Sequence, residues 1–533
     1  MVLINTEELI IKRAYEKNAF TPKSFFKVKM GVLGELREPI PKKSELLAAY
    51  RNLVKKGEVE KNEYLEKLLR LHKIRTLSGV AVIAILTKPT YCPGECIYCP
   101  TEYEMPKSYL SEEPAVMRAI RSEFDPERQV DLRLEALEKT GHFTDKIEII
   151  ILGGTFTAFK KEYQKNFIWK TFDALNKKSS KDMKEAIKIN ETTKHRCVGL
   201  TIETRPDLLD ENEVIRLRNL GVTRVEIGVQ SVYDDILDLV KRGHTQKEII
   251  NATKLLKDAG IKVNHHIMPN LPGSDIKKDI EMFKILFENP GYKPDQLKIY
   301  PCVVVRESKL YDWWKDKKFI PYKRDELISL LMEVKKNIPK YVRISRLFRD
   351  IPSTRIETGV KSTNLRQMVK AEMLKRGLFC SCIRCREVRE KLVEEEFKKP
   401  VLFRQDYNAS EGKEIFLSFE DEKREKLFAF IRLRIPSYFL KGETHYISEL
   451  ENAAIVREVH TYGEVVPIGK RGVGVQHRGL GKRLMKKAEK IANDEFGVKK
   501  IAVTSGIGVR PYYHKLGYNL VGTYMVKLIN NMC

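Results

Sequence analysis

The chain has 533 residues, more than one hydrophobic core usually holds, so two or more domains are expected. Hydrophobic residues make up 42%, which excludes a disordered chain, and 98 Lys plus Arg against 73 Asp plus Glu leave a net charge of +25. That surplus points to a polyanionic partner, nucleic acid first; a lysine-rich thermophile composition explains many charges of both signs but not the imbalance.

The opening stretch MVLINTEELIIKRAYEKNAF lacks a signal-peptide apolar core, and no apolar run is long enough to span a bilayer. Of nine cysteines, six fall in two tight clusters, CPGECIYC and CSCIRC. Clustering in a large charged chain argues against a secreted disulfide framework and for metal sites in a reducing cytosol. The chain is therefore read as soluble and cytoplasmic.

Residues 1–75 read as helical and basic, with 17 Lys/Arg against 10 Asp/Glu and apolar residues at helical spacing in YLEKLLRLHKI. This is a nucleic-acid-binding module or a solvated helical cap, and the charge favours the first. From 76 to 300 strands and helices alternate. The strands are SGVAVIAIL, KIEIIILGG, CVGLTIETR, TRVEIGVQS, KVNHHIM and DQLKIYP. Continuous apolar strands alternating with helices predict a parallel sheet covered by helices, here a partial (βα)6 barrel with its functional residues at strand C-terminal ends. Residues 301–400 read as an Arg-rich connector containing CSCIRC. From 401 to 533 the texture is α+β, with antiparallel-looking strands, a glycine-rich turn into a helix, the strand KIAVTSG, and RPYYHKLGY.

The motifs carry the chemistry. Cys92, Cys96 and Cys99 follow the first predicted strand as Cys-x3-Cys-x2-Cys with no fourth ligand nearby. Structural zinc wants four ligands, whereas three thiolates on a cubic iron–sulfur cluster leave one iron open. The spacing is similar to the signature of the radical S-adenosylmethionine enzymes, with Tyr98 at their usual aromatic position; a zinc site completed by a distant residue is the competing reading. Gly153, Gly154 and Thr155 end the second strand and resemble that superfamily's motif for the methionine amino group. Glu203 and Arg205 end the third strand, placed for ribose or carboxylate. Gln230 ends the fourth, within reach of adenosine.

In the C-terminal part, QHRGLGKRL carries Q-x-x-G-x-G at a helix start, where exposed N–H groups cradle a pyrophosphate. It resembles the coenzyme A loop of the GNAT acyltransferases, and RPYYHKLGY resembles their element whose tyrosine contacts the departing sulfur. Cys380, Cys382 and Cys385 in CSCIRC read as a zinc staple whose fourth ligand is not evident, with Cys302 or a water considered.

A radical S-adenosylmethionine part joined to a GNAT part, with GGTF, ETRPD, GVQS, HHIMPNLPG, IVREVH and YYHKLGY in this order, closely resembles the catalytic subunit of the Elongator complex over roughly residues 76–533. The resemblance implies a tRNA-modifying enzyme that installs a carboxymethyl group, or its precursor, on carbon 5 of the wobble uridine, with acetyl-CoA as carbon source. It implies a [4Fe–4S] cluster, S-adenosylmethionine and acetyl-CoA as cofactors; zinc at the second cluster is read from the cysteine spacing, and tRNA binding by residues 1–75 and the radical domain from the positive charge. It implies acetyl-CoA contacts at Lys146, Glu458, Val459, His460, Thr461, Val475, Gln476, His477, Gly479, Gly481 and Tyr513. Tyr512, Tyr513 and His477 are the expected catalytic residues. A protein lysine acetyltransferase with a substrate-binding radical domain is the alternative. The intact cysteine motif and the positive charge argue against it, since histone-like tails are themselves basic. The electron donor, and whether the chain acts as a homodimer or a stand-alone monomer, are left open.

Overall fold

The computed structural model describes residues 5–71, 79–362, 364–388, 400–462 and 479–529. The chain begins with four helices, Thr6–Glu16, Pro22–Leu36, Lys43–Lys56 and Glu63–Leu69. Side chains of Asn5, Thr21 and Asn62 cap three of them, and Gly57 ends the third in the left-handed region. They bury their own core of Ile10, Ile11, Leu33, Leu47, Tyr50 and Leu65, so this basic region is a folded helical unit.

A seven-stranded half-barrel follows. Its strands are β1 (Ala81–Leu86), β2 (Lys146–Leu152), β3 (Arg196–Thr204), β4 (Arg224–Gln230), β5 (Lys262–Ile267) and β6 (Gln296–Ile299), then β8 (Arg343–Arg346). They lie in that order, every neighbouring pair parallel. A small antiparallel pair, β7 (Val304–Val305) with β9 (Ile356–Thr358), sits beside them. The count differs from the six strands expected: β8 comes from the segment read as a connector. RISR is four residues long with an Arg at each end, so it carries no apolar run by which to recognise it.

A second expectation also changes. Continuous apolar strands hold for β1, AVIAIL, and nearly for β2, but β4 and β6 alternate, and so does β5 except for the buried His265 on its core face. Val225, Ile227, Val263, Leu297 and Ile299 enter the main core. Glu226, Asn264, His266, Gln296 and Lys298 take the other face, because successive side chains on a strand point to opposite sides. Parallel pairing sets Glu203, Glu226, Asn264 and Gln296 in one cross-sheet row, with His266 beside Lys298 one step nearer the C-terminal ends. The concave face of the half-barrel is thus polar.

The second sheet runs β10 (Val401–Ala409), β11 (Gly412–Glu420), β12 (Leu427–Ile435), β13 (Ala453–Thr461), β14 (Lys500–Val503), β16 (Tyr524–Leu528), β15 (Asn519–Val521). It is antiparallel except for β13 with β14. The 17-residue helix Leu480–Phe496 packs on it through Leu484, Met485, Ala488 and Ile491.

The two sheets are welded together. Gly506 and Gly508 lie directly on β3: a β-carbon would stand 2.2 Å from the Val198 carbonyl oxygen and 2.4 Å from the Arg196 side chain. Ile455, Ala502, Ile507 and Tyr524 share the half-barrel's core. Around them buried ions pair across the boundary. Arg434 meets Asp258 at 2.7 Å, Arg457 meets Asp295 at 2.8 Å, and Arg218 donates to the carbonyls of Ser505 and Thr523. Breaking one partner of such a pair strands a buried charge, which costs about 3–5 kcal/mol.

Candidate active sites

The first site lies at the C-terminal ends of the half-barrel strands. A pocket of about 180 Å³ is lined by Cys92, Cys96, Cys99, Gly154, Thr155, Glu203 and Gln230, so most residues singled out by the sequence converge. Each cysteine is seated differently. Cys92 Sγ lies 3.6 Å from Thr155 Oγ1, just after β2. Cys96 Sγ accepts from Arg242 Nη1 at 3.4 Å, while Arg242 Nη2 donates to the Gly228 carbonyl at 2.7 Å. Burial would raise the Cys96 thiol, but Arg242, Tyr98 and Arg205 outweigh it and its pKa falls. Cys99 has less help: burial and the neighbouring Cys96 push it up to about 12.

The three thiols are not all within 4.8 Å of one another, unlike the second trio. Ligands on three different irons of a cluster stand farther apart than ligands on one tetrahedral ion, whose Zn–S distance of about 2.3 Å sets them close together. Three thiols around one pocket, with no fourth cysteine in it, fit a cluster with an open corner.

Around them, Gly154 takes φ +86° and Gln230 φ +70°, a conformation uncommon for a residue with a side chain and frequent at binding sites. Glu203 accepts from Tyr109 at 2.7 Å and faces Lys298 Nζ at 3.5 Å. Lys298 also pairs with Glu226, which accepts from His266 Nε2 at 2.9 Å. Burial opposes both charges, yet Lys298, His266 and Arg224 hold Glu226 well below the usual carboxylate range, and Glu226, Tyr300 and Glu203 hold Lys298 above its ordinary value. Glu203, Glu226 and His266 are close enough to share a metal ion, but the Lys298 ammonium already neutralises that cluster.

Two expected contacts fall elsewhere. Arg205 does not line the pocket: its guanidinium grips Asp207 at 2.9–3.2 Å, and its Nη1 stands under Gly94 of the cysteine loop with no hydrogen-bond partner. Gly153 packs against Thr87, where a β-carbon would meet the threonine oxygen at 2.0 Å. Gly153 shapes the turn and Gly154 meets the pocket. Sequence reasoning missed Tyr109, Glu226, Arg242, His266 and Lys298. The signal for three of them was there: polar residues at every second position of RVEIGVQ, KVNHHI and QLKI.

The second site is where β13 meets the helix Leu480–Phe496. Gly479 caps that helix with φ +79° and makes no side-chain cap bond among the described residues, and a helix start of this kind presents N–H groups that suit an anion. Tyr512 Oη stands 3.1 Å from where a Gly481 β-carbon would be, beside Thr461 and Val459. Of the two tyrosines, Tyr512 is at this turn and 37% exposed; Tyr513 is 6% exposed, its ring edge-on to Tyr512 and Tyr518 in the sheet–helix core. Of the pair, Tyr512 is the one whose hydroxyl reaches the helix start, and Tyr513 packs behind it. Glu458 pairs with Arg432 at 3.0 Å and Lys262 at 3.8 Å. Burial raises it, but Lys262 and Arg432 bring it down to about 2. His460 stacks on Phe430 and meets Tyr462 at a tilt. Lys146 begins β2 beside Arg196, the residue on which Gly508 packs, which brings it to the domain boundary. Val475, Gln476 and His477 lie outside the described residues. A glycine-capped helix start with a hydroxyl above it suits a pyrophosphate and its thiol arm.

Cys380, Cys382 and Cys385 bring their sulfurs within 4.8 Å of one another, the grouping of a single tetrahedral ion. Lys335 Nζ approaches Cys385 Sγ at 3.6 Å. Cys302 does not join them. It is buried with Ile97, Val240 and Leu271 below the first cysteine loop, and the expectation of it as fourth ligand is withdrawn.

Fold and sites together define a radical S-adenosylmethionine half-barrel fused to a GNAT-type module. Residues 86–285 match the Radical SAM superfamily, 294–375 its C-terminal domain, and 473–518 the Acetyltransferase (GNAT) family. The chain is 48% identical to the tRNA uridine(34) acetyltransferase of Methanocaldococcus infernus, over 91% of this chain and 94% of that protein. It is 42% identical to Elongator complex protein 3 of Homo sapiens, over 86% of each. The solved structure of the Methanocaldococcus infernus Elp3 lacking its first 46 residues superposes with a TM-score of 0.74 at 47% identity, covering 85% of this chain and 99% of that one. The chain belongs to the family of the tRNA uridine(34) acetyltransferases and Elongator complex protein 3.

Proposed function

We propose that the chain installs a carboxymethyl group, or its precursor, on carbon 5 of the wobble uridine of tRNA, taking the carbon from acetyl-CoA. The observation that carries this reading is three thiols around one pocket and a glycine-capped helix start of the coenzyme A type, on two sheets that share a core. Carbon 5 is too weak a nucleophile for plain acyl transfer and an acetyl methyl too weak an acid, so one-electron chemistry is required. A [4Fe–4S] cluster held by Cys92, Cys96 and Cys99, with S-adenosylmethionine, supplies hydrogen-atom abstraction when bound.

The chain's own residues bind and orient. Gly153 shapes the turn that presents Gly154 and Thr155 to the methionine end. Glu203, fixed by Tyr109 and Lys298, faces the ribose, and Gln230 the adenosine. Arg205 supports the cysteine loop from below. Acetyl-CoA is held by Gly479 and Gly481, by Glu458–Thr461 and Val475–His477, and by Lys146 from the radical side. Tyr512 and His477 serve the thioester, with Tyr513 as the packed support of Tyr512. Cys380, Cys382 and Cys385 hold zinc. The helices of residues 6–69 and the radical domain receive tRNA. No helix among the described residues is long and apolar enough to cross a membrane, which accords with a cytoplasmic enzyme.

The test is mass spectrometry of tRNA nucleosides after anaerobic incubation of reconstituted protein with S-adenosylmethionine and acetyl-CoA. A carboxymethylated uridine at the wobble position is expected. Acetylated lysine peptides without any change in the RNA would overturn the reading.

A further inference from the structure

Tyr103 and Tyr91 are the two most exposed large apolar side chains among the described residues, at 86% and 79%. Both flank the first cysteine loop. Tyr91 immediately precedes Cys92, and Tyr103 stands between Cys99 and Lys107, which like Cys92 line the pocket. Neither ring has a hydrogen-bond, stacking or cation partner among the described residues, whereas Tyr109, six residues on from Tyr103, is buried with Glu203 and Arg349.

The exposure of Tyr103 does not come from a loose loop. Thr101 N–H donates to the Glu307 carbonyl at 2.8 Å, and Ser108 N–H to the Pro100 carbonyl at 3.0 Å. Glu102 accepts from Ser111 at 2.9 and 2.6 Å and from Arg355 at 3.2 Å, and Lys107 donates to Thr101 at 2.7 Å. The segment is tied down on both sides of Tyr103, and the ring is held out in water. A fixed, unpartnered aromatic ring costs hydration without any return inside the fold. Two of them at one pocket, with Lys107, Arg346 and Arg349 lining it, in a chain of charge +25, suit flat polyanion-linked ligands.

We propose that Tyr91 and Tyr103 are stacking platforms for unpaired RNA bases, gripping the nucleotides beside the one that enters the pocket. This rests on the tRNA reading above and adds the binding subsite to it. Single-stranded bases stack on tyrosine faces irrespective of sequence, and an anticodon loop presents neighbours that must be splayed apart for one base to enter a pocket.

The probe is a uridine-containing anticodon stem–loop RNA bound to the full-length protein, with affinity measured across a salt series. Tyr91→Ala and Tyr103→Ala should each weaken binding by about tenfold. The slope of affinity against salt should stay unchanged, because no phosphate contact is lost. Tyr→Phe at either position should bind as the parent does. Both positions face solvent, so unfolding midpoints should not move, which separates loss of stacking from loss of fold. Unchanged affinity in the alanine variants, or weakening that appears only as a lower salt slope, would overturn the proposal while leaving the function intact. If the parent protein itself fails to bind the stem–loop, both readings fall.

Discussion

Two cysteine trios of similar sequence density end up in opposite arrangements. Cys92, Cys96 and Cys99 line one pocket in different settings: Cys92 beside Thr155 after β2, Cys96 on Arg242 after β4, and Cys99 half-buried, its thiol pushed up by desolvation and by Cys96. Cys380, Cys382 and Cys385 point at one spot, in a segment whose other bonds stitch the two sheets together. Arg386 donates to the Lys340 carbonyl and pairs with Glu420 at 2.9 Å, and Arg343 pairs with Glu387. The first arrangement sets its sulfurs around an opening; the second gathers them within the span of a single ion. Thiols spread around an opening invite chemistry, and thiols gathered to a point hold structure.

The comparison breaks most sharply under substitution of the cysteines. Cys96→Ala should abolish iron loading and with it 5′-deoxyadenosine formation, read by iron analysis and chromatography, while the unfolding midpoint of the metal-free protein hardly shifts. Cys382→Ala should do the reverse: zinc is lost, the midpoint falls by roughly 5 °C, and iron still loads. If Cys382→Ala instead removes iron and leaves the midpoint alone, the roles drawn from the two geometries are exchanged.

A smaller difference concerns acid. His244 lies 3.7 Å from Asp207, the partner of Arg205 under the first cysteine loop, and burial, reinforced by Arg242 and Arg205, holds its pKa down to about 2 from an ordinary 6.5. The unfolded chain takes up a proton below pH 6.5, whereas the folded chain does so only near pH 2. Stability present at neutral pH therefore drains away as pH falls between those values, by at most about 1.4 kcal/mol per pH unit. Urea unfolding of the metal-free protein at pH 7 and pH 5 should show this loss, and His244→Gln should shrink it. An equal loss in the variant would place the acid sensitivity elsewhere.

Much of this was legible from residue order alone. Cys-x3-Cys-x2-Cys after a strand and polar endings on the next strands mark residues that the structure gathers around one pocket, and the glycines of Q-x-x-G-x-G stand at a helix start. What stayed hidden depended on tertiary approach. RISR is too short and too charged to announce the seventh strand. Tyr512 and Tyr513 are identical in sequence terms, and only packing against Tyr518 decides which ring is inside. Arg242 is 146 residues from Cys96 and becomes its partner only when β4 and the loop after it close under the cysteine loop. The polar face of β4 to β6 was written as alternation, but expecting a sheet buried on both faces by apolar residues concealed it.

Arg242 also gives the finest test of the difference between the trios. Its guanidinium donates to Cys96 Sγ and is locked by the Gly228 carbonyl, so it cannot turn away. Lys335, near the second trio, ends in a single ammonium 3.6 Å from Cys385, a point charge without the planar guanidinium fork. A hydrogen bond to a cluster thiolate draws off electron density and favours the reduced, more negative state, which raises the reduction potential. Arg242→Gln removes the charge and should lower the potential by about 60 mV, one tenfold step for a one-electron couple. Arg242→Lys keeps the charge but loses the fork and should fall between. Spectroscopically monitored redox titration of the reconstituted protein reads both. A potential unchanged in Arg242→Gln would mean that this arginine only packs the loop, and that the first trio differs from the second in spacing alone.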